Sequence, residues 1–257
     1  MGWWRFYSII GIWLAFIAAL IWGWYAMDLR WMEMIRSSGN IITYLGGYFD
    51  GSVADYMRRS DYYFRQMVIT VHMAVWSTTL ALIFSVPLGL LSAHNVAPWW
   101  IRHPIRRAMD SLRAINELVF ALIFVSVVGL GPMAGMLALF VHTTGTLAKL
   151  FSEAVESIDP RPVEGIRATG AGRIREVSYG VVPQVMPLWI SYTLYRFESN
   201  VRSATVVGIV GAGGIGQALA ENIRGFDYVQ TAAILGIIII TVVIIDVISA
   251  QLRHTTT

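Results

Sequence analysis

From Phe6 to Met27 the chain runs through 22 residues without a charged side chain. A helix needs about 20 mainly apolar residues to cross roughly 30 Å of hydrocarbon. As a cleavable signal the segment is unsuited, because its apolar core is too long and Asp28-Leu29-Arg30-Trp31 offers no small-residue cleavage site. It is expected to be a retained spanning helix. Only 14% of the 257 residues are charged and 56% are hydrophobic, whereas soluble domains carry about 25% charged residues. The chain lacks the polar surface to coat a water-soluble globule, which points to one polytopic, all-α membrane domain over 1–257.

Further spans follow from the same criterion. One runs from about Met67 to Leu91, interrupted by Pro87. Between Glu117 and Lys149 no charge appears, yet Gly129-Leu130-Gly131-Pro132 falls inside the run. This break predicts a tight hairpin of two helices, about Leu112–Leu130 and Pro132–Phe151. A fifth span, about Pro187–Gly208, is unusually polar, and a sixth, Tyr228–Ile245, is nearly pure Ile, Val, Leu and Ala. Six spans put both termini on one side. With cytoplasmic termini, eleven basic residues lie inside (Arg5, Arg102, Arg106, Arg107, Arg113, Lys149, Arg161, Arg167, Arg173, Arg175 and Arg253). Six lie outside (Arg30, Arg36, Arg58, Arg59, Arg65 and Arg224). The positive-inside rule therefore favours cytoplasmic termini. Residues 28–66 then form an extracytoplasmic segment whose Tyr44, Tyr48, Phe49, Tyr56, Tyr62 and Tyr63 read as interfacial aromatics, before a core over 67–257.

Several chemistries are excluded. There is no cysteine, hence no disulfide, thiolate metal site or cysteine nucleophile. The single lysine, Lys149, lies between Ala148 and Leu150, so the chain has no Gly-Lys-Ser/Thr phosphate-binding loop. A net charge of +3, scattered along the chain, does not suggest nucleic acid. His142 and His72 have no second ligand at metal spacing and read as packing residues.

The longest polar stretch expected inside is 152–184. Asp159 can cap a short helix whose first turn suits the prolines at 160 and 162, and Gly170 and Gly172 would end it and turn the chain. A short helix, a glycine turn and a second helix make a compact shape that can project from the membrane into a partner.

This loop resembles the "EAA" signature of ABC-importer permeases. Glu164 takes the Glu position, Gly170 follows six residues later, and Pro183 stands thirteen beyond the glycine. Gly165-Ile166 replaces Ala-Ala, Gly180 stands where Ile is usual, and Val182 replaces Leu. From about Met67 onward the resemblance to phosphonate-importer permeases continues. It runs through Arg113-Ala114-Ile115-Asn116-Glu117, Val141-His142-Thr143-Thr144-Gly145, the stretch from Tyr195 to Thr205, and Val210-Gly211-Ala212-Gly213-Gly214-Ile215-Gly216. The resemblance implies a type I ABC-importer permease fold of about six transmembrane helices in a bacterial inner membrane. It implies a homodimer, two cytoplasmic ATPase subunits that bind ATP and Mg, and an extracytoplasmic phosphonate-binding protein. It further implies that the loop, with Glu164, Gly165, Ile166, Arg167, Ala168, Gly170 and Pro183, forms a coupling helix that docks into the ATPase. The chain itself is then no enzyme and binds no cofactor.

Gly211-Ala212-Gly213-Gly214-Ile215-Gly216 also fits G-x-G-x-x-G and follows a strand-like run, Thr205–Val210. A dinucleotide site, which would make the chain a membrane oxidoreductase, needs an acidic residue about 20 positions on within a βαβ unit. There the sequence is Thr231-Ala232-Ala233-Ile234, so a flexible corner between helices is expected instead.

Charges inside a span are costly and face protein or water. On a helix, Arg196, Asn200 and Ser203 share one face, while Glu198, Arg202 and Thr205 share nearly the opposite one. Glu198 and Arg202 stand at i and i+4 with the acid first, a favourable order. Two readings fit: a self-neutralised bridge against another helix or the dimer mate, and a stripe lining an anion path, since arginine binds phosphate-like oxygens well. Arg202, Asn200 and Ser203 are the favoured pathway residues, followed by Arg196. Asn116 and Glu117, about a turn inside the third span, either line an inner gate or bond to neighbours such as Arg113. The expected function is permeation of a phosphonate or related phosphorus oxyanion. The alternatives are a permease of the same fold for methionine or another small solute, a passive channel, and the oxidoreductase.

Overall fold

The computed structural model describes residues 3–27 and 31–256; Asp28, Leu29 and Arg30 of the expected outer segment lie outside them. The chain divides into two compact units, Met1–Asp50 and Gly51–Thr257. The first holds α1 (Trp3–Ala26), α2 (Trp31–Arg36) and α3 (Ser38–Gly46). From Tyr7 to Ala26, α1 is long and apolar enough to cross a membrane, and Trp13, Phe16 and Leu20 are exposed along it. Such an all-round apolar helix suits contact with lipid.

The second unit contains α4 (Val53–Met57), α5 (Ser60–Ser92), α6 (Trp99–Ala114), α7 (Glu117–Val128), α8 (Pro132–Glu156), α9 (Pro160–Ala168) and α10 (Arg173–Arg175). These are followed by α11 (Val182–Val207), α12 (Ile215–Arg224) and α13 (Tyr228–Thr256). No strand occurs among the described residues. α1, α5, α8 and α13 each qualify as spans, and two bent pairs raise the number to six.

α5 and α8 form the spine of this unit. Along α5, Tyr63, Met67, Thr70, Ala74, Ser77, Ala81, Ser85, Gly89 and Ser92 are buried at steps of three or four residues. Small residues on this stripe allow close helix approach, as is usual where lipid provides no hydrophobic drive. Most of the hydroxyls here are satisfied locally, Thr70 donating to Gln66 O, Ser77 and Thr78 to Ala74 O, and Ser92 to Gly89 O, whereas Ser85 donates across to Thr144 O of α8 at 3.2 Å. At one end of the unit Phe151 stacks on Trp189 at 4.7 Å, among Ala81, Leu147, Val155 and Val185. At the other, Tyr63, Met67, Val201, Ile215 and Ile234 cluster.

Several expected boundaries are corrected. The second span begins at Ser60 and passes through Pro87 without breaking. Tyr63 is fully buried rather than interfacial, with its hydroxyl directed at Asn222 Oδ1, 3.4 Å away. The expected helix Leu112–Leu130 is two helices, α6 and α7, meeting at 89°. Ile115 and Asn116 are extended, and Asn116 Oδ1 accepts the Leu118 N–H at 2.9 Å. An Asn cap of this kind starts a new helix. The fifth span starts at Val182, ahead of the expected Pro187, and the sixth continues to Thr256.

The run Thr205–Val210, read as strand-like, is helical: α11 passes into a π-helical stretch, Gly208–Ala212. With no strand before it, the glycine cluster has no βαβ frame for a dinucleotide. It is instead a corner at which α12 folds back closely on the end of α11. A Cβ on Gly216 would overlap the carbonyl oxygen of Thr205. Thr70 Oγ1 accepts the Ile215 N–H at 2.8 Å, capping α12 from α5.

Candidate functional site

Two polar regions stand out in the second unit. The first is α9 and its supports. Asp159 Oδ1 accepts the Arg161 N–H at 3.0 Å, and Pro160 occupies the first turn, where its missing N–H costs nothing. Gly170 then takes φ +79°, the left-handed conformation that ends the helix. None of the α9 residues is buried; Glu164, Gly165, Arg167 and Ala168 are exposed and Ile166 is half-buried. The helix is nevertheless firmly held. Arg167 donates through Nε and Nη2 to the two carboxylate oxygens of Glu176, each at 3.1 Å. Those bonds and the carboxylate charge push the Arg167 pKa further above its ordinary value. Gln184 Nε2 donates to Asp159 O at 3.2 Å and to Gly180 O, while the Asp159 N–H donates to Gln184 Oε1. Pro183, in the first turn of α11, stands beside this clasp.

The second region lies along α11. Asn200 is 1% exposed; its Oδ1 accepts from Thr143 at 2.9 Å and its Nδ2 donates to Thr78 Oγ1 at 2.8 Å. It therefore ties α5, α8 and α11 together and faces the bundle interior. Glu198 and Arg202 pair at 2.9 Å as their spacing suggests. They also engage α13: Arg202 Nη1 lies 3.3 Å from Asp246, and Arg253 Nη1 lies 3.3 Å from Glu198. Two acids and two bases thus balance between two helices.

Arg196 and Ser203 point elsewhere. Ser203 donates to Glu117 Oε1 at 2.8 Å, and Glu117 Oε2 lies 3.7 Å from His142 Nε2. His142 Nδ1 is 3.0 Å from Ile115 O, at the α6–α7 bend. Arg196 lies within electrostatic reach of Glu117, and its Nε is buried with no hydrogen-bond partner among the described residues. A cleft of about 380 Å³ opens here, lined by Asp110, Arg113, Ala114, His142, Thr146 and Arg196. Sequence spacing could not show that Glu117, His142, Arg196 and Ser203 converge from α7, α8 and α11. Nor could it show Asp246 as a partner of Arg202. No group of three or more metal-binding side chains occurs among the described residues.

The family of binding-protein-dependent transport system inner membrane components matches residues 85–254, a range that contains α9 and both polar groups of α11. The chain belongs to this family. Among its relatives, a protein named as a cryptic phosphonate transport system permease, PhnE2 of Escherichia coli (strain K12), is 69% identical over 118 residues. That match covers 46% of this chain and 97% of the relative. The phosphite transport system permease protein PtxC of Stutzerimonas stutzeri is 36% identical over 258 residues, covering 98% and 90%. Among solved structures, a chain of the inward-facing MetNI methionine ABC transporter aligns with a TM-score of 0.67. It is 20% identical and covers 76% of the permease and 96% of that chain. At that identity the likeness shows the fold, that of a type I importer permease. The expected resemblance and fold class hold, with the boundaries corrected above.

Proposed function

We propose that this permease carries a phosphonate or a related phosphorus oxyanion, driven by ATP that a separate subunit hydrolyses. The observation that carries the reading is its similarity to a phosphonate and a phosphite permease, the latter along nearly the whole chain. In this reading two copies form the pathway in a bacterial plasma membrane with cytoplasmic termini. Two ATPase subunits dock from the cytoplasm and a binding protein delivers the anion from outside. The exposed face of α9, Glu164 to Ala168, contacts the ATPase, while the Arg167–Glu176 clasp and the turn at Gly170 pass its movement to α11.

Geometry also favours a division of labour along α11. Arg196 has an unsatisfied guanidinium nitrogen beside a polar cleft, as a group that binds an anion transiently requires. Glu117 beside it tempers the attraction, so that an anion is guided but not trapped. Ser203 orients Glu117. Glu198 and Arg202 neutralise one another with Asp246 and Arg253 and serve as structure, as does Asn200. Asn116 starts α7 and thereby sets Glu117.

The reading is tested by uptake into vesicles containing the permease, its ATPase and its binding protein. ATP-dependent accumulation of phosphonate or phosphite, with methionine excluded, is expected. Methionine uptake without oxyanion uptake would assign the other substrate class, and flux without ATP would make the chain a passive channel.

A further inference from the structure

Besides the Arg167–Glu176 clasp, the α9–α10 hairpin makes a second long-range contact. Arg173 Nη2 donates to Val96 O at 2.7 Å, in the Ala93–Pro98 loop that joins α5 to α6. Arg173 also lies within electrostatic reach of Glu176, so it stands between that clasp and the α5–α6 loop. A cavity of about 380 Å³, lined by His94, Asn95, Glu156, Val163, Glu164 and Arg167, opens between this loop and α9. Among the described residues, the Arg173 bond is the one hydrogen bond that joins residues 93–98 to residues 157–181.

The α5–α6 loop is in turn fixed to α8 and α6. The His94 N–H donates to Glu156 Oε1 at 2.9 Å, and Asn95 Nδ2 donates to Val155 O at 2.6 Å. Arg106 Nη2 reaches both carboxylate oxygens of Glu156, at 3.0 and 3.1 Å. Hydrogen bonds between ionised groups are the stronger kind. Further along, α6 sits directly on α8 at Gly145, where a Cβ would lie 3.0 Å from both Arg113 N and Met109 O. α6 is one continuous helix, about 24 Å long at 1.5 Å per residue. Its C-terminal end brings Asp110, Arg113 and Ala114 to the cleft that Arg196 lines from α11. The cleft thus has one wall from α6 and α8 and another from α11, and each wall leads back by side-chain bonds to the hairpin.

We propose that Arg173 is a second positioning residue for coupling. Through Val96 O it ties the hairpin to α6, so that displacement of the hairpin by the ATPase shifts the α6 wall of the cleft, as the Arg167–Glu176 clasp shifts the α11 wall. Coupling between separated sites is carried by packed elements and bonded side chains, and Glu156, Arg106 and Gly145 supply both along this route. The proposal rests on the coupling role assigned to α9 above.

The test uses the permease assembled with its ATPase and binding protein in vesicles. The chain has no cysteine, so A114C places one thiol per copy at the cleft. Its labelling by a water-soluble maleimide is compared without nucleotide and with ATP and vanadate. ATP is expected to change the labelling rate by roughly fivefold or more, the low end of usual coupling effects. R173A should remove most of that change while ATP hydrolysis continues, and R173K, whose ammonium can still donate to Val96 O, should restore it. E156Q weakens the same route at α6, away from the hairpin, and should give the same loss even if R173A disturbs ATPase docking. E176Q, which loosens the α11 clasp, should leave the change in place. A full change in R173A or in E156Q, or its loss in E176Q, would overturn the proposal, as would failure of R173K to restore it. An unchanged A114C rate in a wild-type complex that takes up oxyanion with ATP would remove the α6 route and leave the coupling role of α9 standing. No ATP-driven uptake by the wild type would remove both.

Discussion

Arg167 grips Glu176 through two parallel hydrogen bonds of 3.1 Å, from Nε and from Nη2. Arg167 stands on the exposed α9, and Glu176 opens the π-helical turn that feeds α11. A planar guanidinium fitted to both carboxylate oxygens resists rotation in a way a single point charge does not. Loss of this clasp should leave α9 able to contact a partner yet unable to drive α11. R167A and E176Q are expected to assemble normally and lose roughly tenfold or more of ATP-dependent uptake, within the usual range of coupling effects. R167K should recover only part. Uptake per ATP hydrolysed, measured in vesicles, checks this; wild-type ratios in both R167A and E176Q would remove the clasp from the coupling route.

Gly170 holds φ +79° at the end of α9. A side chain there costs roughly 1 kcal/mol or more and adds no contact that compensates. G170D should therefore distort the turn, and E164K should reverse charge on the exposed face of α9. Both variants are expected to stall ATP hydrolysis by the assembled complex while still reaching the membrane. Unchanged uptake in both would refute the coupling role of this loop.

Asn200 bridges Thr143 and Thr78 with bonds of 2.9 and 2.8 Å. Replacement by Ala leaves the hydroxyls with fewer buried partners, at a cost of about 1–3 kcal/mol. N200A should unfold at lower temperature in detergent, with T143V affected less. Normal stability of N200A combined with lost transport would instead assign Asn200 to the pathway.

Arg196 lines the cleft and Glu117 lies within electrostatic reach of it, so the two should respond in opposite senses. R196Q removes the attraction and is expected to reduce oxyanion uptake by roughly ten- to a hundredfold. E117Q should retain the Ser203 hydrogen bond and bind the anion more tightly, lowering turnover and KM together. Substrate dependence of uptake distinguishes the two. Equal KM in R196Q and wild type would place the anion elsewhere.

Asp55 closes a capping box with Ser52, accepting the Ser52 N–H at 3.0 Å and its hydroxyl at 2.6 Å. The side-chain bond from Ser52, with the backbone bond, holds its pKa below the usual carboxylate value. A carboxylate so depressed stabilises α4 fully above its unfolded pKa, and the contribution is lost as pH falls through the folded value. Amide exchange over 52–57, corrected for intrinsic rates, should therefore accelerate toward acidic pH, and D55N should abolish the dependence. Identical pH profiles for D55N and wild type would exclude this cap as the cause.

Local signals were legible wherever neighbours in sequence carried the physics. Apolar length marked the spans, the Asp159 and proline pattern marked α9, and Gly129 to Pro132 marked the α7–α8 hairpin. The i, i+4 order gave Glu198 and Arg202 as a pair. Where a short-range signal competed with chain-length hydropathy, the reading failed. Asn116, read as lying inside an apolar span, caps a new helix and bends the chain by 89°.

The unbroken apolar run from Phe6 to Met27 and the low charge content were enough to make this a helical membrane protein, since a spanning helix satisfies its own backbone. Which polar residues are structural and which are unspent depends on partners far apart in sequence. Asn200 is consumed by Thr78 and Thr143, and Arg202 by Glu198 and Asp246, whereas Arg196 keeps a buried nitrogen without a partner among the described residues, beside an open cleft. Helical periodicity assigns a side chain to a face. The packing of α5, α8, α11 and α13 decides what that face meets.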